Sequence, residues 1–174
     1  MPDTAVIQKK DLLDTCVTLE EAAAAFYRAL AKAHAHAPAL VKIWEKTAAE
    51  EDRHAFTFRM SPPFVEEMIA DVCVSGDEVS TALKVMEQLR DLAQHAPPDP
   101  VTALRIAIKA EHALARFHMH QAAAFTDEKY RRMFEAMMAA DKGHIDELQR
   151  AHRRLSGDDY KIGFLETRSK FIQF

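Results

Sequence analysis

Cysteine is scarce: the chain of 174 residues has two, Cys16 and Cys73, and they form no C-x-x-C pair. Two cysteines so placed cannot build a four-thiolate iron or zinc site, and they read as small buried hydrophobes rather than a disulfide. Glycine is scarcer still for this length, at 4, and β-branched residues are sparse, which argues against strands outside the C-terminal tail. No apolar run approaches the ~20 residues that a membrane span needs. No basic stripe with interleaved aromatics suggests nucleic acid, and the formal net charge is −4. The N-terminal Met1-Pro2-Asp3-Thr4 lacks the basic and apolar regions of a secretory signal, so a cytoplasmic setting is expected.

What is present is abundant Ala, Leu, Met, Glu, Lys and Arg, the strong helix formers. Apolar residues recur at steps of three and four. Leu12, Leu13, Cys16, Leu19, Ala23, Phe26, Tyr27 and Leu30 predict a first helix over about 9–35. His34-Ala-His-Ala-Pro38 breaks it, and a second helix follows over 38–59, stopped by Ser61-Pro62-Pro63. Residues 61–100 form a long connection. Within it Val79, Leu83, Met86, Leu89 and Leu92 mark a helix over about 77–95. A third long helix is expected over 101–125, with Asp99 as N-cap and Pro100 at its first position. A fourth follows to about Leu155, with Thr126 as N-cap and Ser156-Gly157 beyond it. The chain thus reads as all-α: two antiparallel helical hairpins joined by a helical crossover, forming a four-helix bundle over 1–157 of the ferritin-like class. The tail 158–174, with Tyr160, Phe164, Phe171 and Phe174, suggests no element.

The two hairpins resemble each other. Glu20 and Tyr27 match Glu111 and His118 at an offset of 91, and Glu51-x-x-His54 matches Asp141-x-x-His144 at an offset of 90. Residues three apart share a helix face, so each acid–histidine pair can hold one ion. In both hairpins the acids sit roughly 15 residues from the turn, or ~22 Å at 1.5 Å per residue. Glu20, Glu51, His54, Glu111, Asp141 and His144 should therefore meet at one level of the bundle. Four carboxylates buried there need compensation, which two divalent cations supply; carboxylate and imidazole together suit iron, manganese or zinc.

Neighbouring candidates have plainer readings. Glu21 and Glu50 are expected to face water, His34 and His36 to be polar turn residues, and His112 and His120 to face outward. Met133, Met137 and Met138 read as core filling. Cys16, one turn before Glu20, reads as core packing, with a redox role as the alternative. Tyr27 and His118, two turns after their glutamates, are either hydrogen-bonding partners that orient the ligands or packed core residues.

This pattern over residues 9–155 resembles the rubrerythrin-like branch of the ferritin-like di-iron carboxylate superfamily. The resemblance implies two iron ions ligated by Glu20, Glu51, His54, Glu111 and His144, with Asp141 where the family usually has glutamate. It implies oxidation of Fe(II) by peroxide or dioxygen, as in oxidative-stress defence. Iron storage or handling and hydroxylation of an organic substrate are the alternatives on the same site. Two further departures stand out. Leu114 occupies the place of an extra glutamate in rubrerythrins proper, and no rubredoxin domain is present, so an external electron donor is implied. A homodimer is the expected assembly, since two-fold symmetry is commonest.

Overall fold

In the computed structural model of the chain, the described residues are 11–61, 76–124 and 126–158; they form helices with no strand among them. Helix α1 spans Leu12–Ala33, α2 Pro38–Arg59, α3 Gly76–His95, α4 Pro100–Ala124 and α5 Glu128–Ser156. None of them is long and apolar enough to cross a membrane. Cys73, the aromatic tail residues and the expected helical residues before Asp11 lie outside the described residues.

The ends of the helices follow local chemistry. Proline opens α2, where its missing N–H is no loss. Asp99 Oδ1 accepts from the backbone N–H of Val101 and Thr102 at 3.0 and 3.1 Å, capping α4 as expected. The α5 cap is one residue later than the expected Thr126. Asp127 has extended backbone geometry, and its carboxylate accepts from Lys129 and Tyr130. That places a negative charge against the positive end of the helix. Gly157 closes α5 in the left-handed region at φ 76°, a conformation that costs other residues a Cβ clash.

Helix α1 packs along α2, α4 along α5, α2 against α5, and the crossover helix α3 lies along α1. The inward face of α3 is Val79, Ala82, Met86, Leu89 and Ala93, all buried. Leu92, expected on that stripe, is exposed. It follows Leu89 at a permitted step of three, but it sits one residue, about 100°, round the helix from buried Ala93.

Among the described residues the core is split into two apolar clusters. One holds Phe26, Tyr27, Leu30, Ile43, Trp44, Leu104, Ile108 and Leu148. The other holds Leu12, Cys16, Leu19, Phe58, Phe117, Phe134 and Met137, with Met133 and Met138 packed against it. Along α1 the second cluster ends at Leu19 and the first begins at Ala23; along α2 the first ends at Ala48 and the second begins at Ala55. Glu20 and Glu51 fall in these gaps, and Asp141 falls between Met137 and Leu148 on α5. A polar layer is thus sealed above and below by hydrocarbon, which excludes water and lowers the local dielectric.

Candidate metal centre

Each long helix contributes to this layer. Glu20 comes from α1, Glu51 and His54 from α2, Glu111 from α4, and Asp141 and His144 from α5. The four carboxylates are at most 1% exposed, and the His54 side chain, at 12%, is the most accessible of the six. His54 Nδ1 lies 3.1 Å from Glu51 Oε2 and 3.9 Å from Glu20 Oε2. His144 Nδ1 lies 3.2 Å from Glu51 Oε1 and 3.2 Å from Glu111 Oε2. Two sets of ligand atoms each gather within 4.8 Å: Glu20, Glu51 and His54, and Glu51, Asp141 and His144. Glu51 belongs to both, one oxygen facing each histidine.

The internal repeat has a crossed consequence. The Tyr27 hydroxyl, from the first hairpin, donates to Glu111 Oε1 of the second. His118, from the second hairpin, reaches Glu20 of the first, with its Nε2 2.6 Å from Glu20 Oε1. Its Nδ1 lies 2.7 Å from Asp141 Oδ2. Both Tyr27 and His118 are buried against the acids of the layer.

Glu50 corrects its expected place in water. Its side chain is only 24% exposed, and its Oε2 lies 2.7 Å from His144 Nε2. One residue before Glu51 is about 100° round α2, which turns Glu50 toward α5. The second repeat has Ala140 at the matching position, so no pairing rule pointed to it. Glu21 does face water and pairs with Arg59. His34 is a second correction: it is buried, with Nδ1 3.0 Å from the Leu30 carbonyl oxygen and Nε2 3.0 Å from that of Pro98. It ties the end of α1 to the segment before α4. His112 is partly buried rather than fully outward, and the side chain of His120 lies outside the described residues.

Burial and charge pull the titrating groups apart. Burial raises Glu20 to about 8, against the opposing pull of His118. Burial and then the charge of Glu51 raise Glu111 to about 7. Burial acts on Glu51 too, but hydrogen bonding to His144 and His54 outweighs it and holds this carboxylate well below the usual range. Burial opposes charge on His144, yet Glu111 and Glu51 lift it to about 11. His118 is likewise raised, burial being outweighed by Glu20 and Asp141. Burial, then Glu20, pushes the Cys16 thiol up, so it is no ready thiolate ligand.

The donor set fits cations. Both oxygens of Glu20, Glu51 Oε1 and His118 Nε2 are buried and no well-directed hydrogen bond satisfies them, although His118 Nε2 and His144 Nδ1 lie at ion-pair distance from Glu20 Oε1 and Glu51 Oε1. Such atoms are costly in a dry layer unless something positive meets them. Oxygen and imidazole donors, with no thiolate, suit a borderline divalent ion. His144 also has the support that ligating histidines usually receive, a carboxylate on the nitrogen turned away from the centre.

No curated protein and no solved structure matches the chain. A family model described as Rubrerythrin matches residues 11–152. That span contains all six candidate ligands and most of the chain, which therefore belongs to the rubrerythrin family.

Proposed function

We propose that the chain is a di-iron carboxylate oxidoreductase that reduces peroxide or dioxygen at the expense of Fe(II). Glu51 carries this reading: one buried carboxylate faces two histidines from two helices, as a ligand shared by two ions would. His54 and His144 would each hold one ion, Glu20 and Glu111 would cap them, and Asp141 would complete the set. Bound iron would supply one electron per ion to the oxygen–oxygen bond. The chain's own residues would do the rest. The apolar clusters on either side exclude water, Tyr27 keeps one oxygen of Glu111 engaged, and Glu50 sets the ring of His144.

The test is to add Fe(II) to the metal-free protein without air, count bound iron, then admit peroxide and air separately. Two irons per chain and rapid oxidation by one oxidant, with repeated turnover when a reductant is added, support the proposal. Accumulation of many irons per chain would favour iron handling instead. Binding of no metal would leave a purely structural bundle.

A further inference from the structure

His118 does more than its counterpart in the first repeat. Tyr27 and His118 sit at matched positions, and each reaches the glutamate of the opposite hairpin. The phenol has a proton to give, and gives it to Glu111. His118 Nε2 stands 2.6 Å from Glu20 Oε1, at ion-pair distance, but no well-directed hydrogen bond satisfies either atom. The approach is that of two donors converging on a common point.

We propose that His118 is a third imidazole ligand of the centre, binding through Nε2 the ion held by Glu20, Glu51 and His54. This rests on the reading of the layer as a metal centre. Three observations carry it. The ring is 1% exposed, so Nε2 has no water to turn to. Its other nitrogen, Nδ1, is 2.7 Å from Asp141 Oδ2, a carboxylate oxygen that accepts from it, so an ion that displaces the proton on Nε2 meets a neutral imidazole with its lone pair there. A carboxylate behind the ring is the usual support of a ligating histidine. Finally, both oxygens of Glu20 are unpartnered on the same side, so one cation satisfies three orphaned atoms together.

The two ions are then unlike. One has two imidazoles, His54 and His118. The other has one, His144, whose far nitrogen is held by Glu50. Asp141 has one oxygen committed to His118, which leaves it fewer lone pairs for bridging.

The experiment uses the full chain loaded with Co(II) in the absence of air. Proton NMR in water shows one strongly shifted, solvent-exchangeable ring N–H signal for each histidine bound to a paramagnetic ion. Three such signals are expected, and histidine-selective 15N labelling identifies them. H118Q should remove one signal and weaken the site of Glu20 and His54 by more than 100-fold, with a smaller change at the other site, whose Asp141 loses its His118 partner. Two signals in the natural protein, neither lost in H118Q, would overturn the proposal even if H118Q weakened binding, because a residue that only positions Asp141 gives no signal. The count in the natural protein requires no variant to fold. Failure of Co(II) to bind at all, or full binding by E51Q, would instead overturn the metal centre itself.

Discussion

Replacing Glu51 by glutamine tests the centre most sharply. Glutamine keeps the volume of the buried side chain but offers one carbonyl oxygen where the carboxylate offers one oxygen to each histidine. In the natural protein, two ions each held at 100 times their Kd stabilise the fold by about 2.7 kcal/mol apiece, or about 5.4 kcal/mol together. For a chain of this size that raises Tm by roughly 10–20 °C. Loss of a partner behind a ligand costs 10–100-fold in affinity, so loss of a shared ligand should cost each ion at least ~100-fold. At the same metal concentration the stabilisation then falls to roughly 0.4 kcal/mol per ion, and the rise in Tm to about 2–3 °C. The metal-free variant also loses hydrogen bonds to charged imidazoles, at about 1.5–3 kcal/mol, so the metal-induced shifts should be compared and not the absolute midpoints. Differential scanning calorimetry with and without Mn(II), beside metal counting, gives the answer. A shift in E51Q as large as in the natural protein would refute the shared-ligand reasoning. A shift reduced by half would show that Glu51 serves one ion only.

Glu50→Gln should weaken one ion by about 10–100-fold while leaving the other unchanged, because Glu50 touches His144 alone among the ligand histidines; a two-site Co(II) titration resolves this. The metal-free protein should lose stability as pH rises from about 4.5 to 8. Glu111 and Glu20, raised to about 7 and about 8, hold protons in the fold that the unfolded chain has already released. Glu51 works the other way: its contribution is present above the ordinary carboxylate range and is lost only as pH falls through its lowered value. Metal binding must expel those protons and the one that Glu111 and Glu51 hold on His144 to about 11, so apparent affinity should climb from about pH 6 upward, with proton release measurable in weakly buffered solution; a flat profile would contradict it. Asp127→Ala should lower stability by about 1 kcal/mol, seen as a fall in Tm of roughly 2–4 °C, without changing the metal count.

Much of this molecule was legible in one dimension. Steps of three and four among apolar residues set the helices, and Pro38, Asp99 with Pro100, and Gly157 set three of their ends. Because a helix rises uniformly, equal distances from the two turns bring Glu20, Glu51, Glu111 and Asp141 to one height, and the structure gathers them there. Local backbone geometry is a property of the chain, so spacing carries it.

Other features depend on how each helix is rotated about its axis, and on which rotamer its neighbours leave open. Glu50 read as a solvated residue until α5 brought His144 beside it, and His34 read as a polar turn until Pro98 closed over it. Leu92 kept the right spacing yet faces outward, because the contact with α1 centres α3 elsewhere. His118 shows the division best. Its spacing placed it two turns from Glu111, while the packing of α1, α4 and α5 brought Glu20 to one ring nitrogen and Asp141 to the other. Such convergence involves residues on three helices, and only the packed fold sets their mutual orientation.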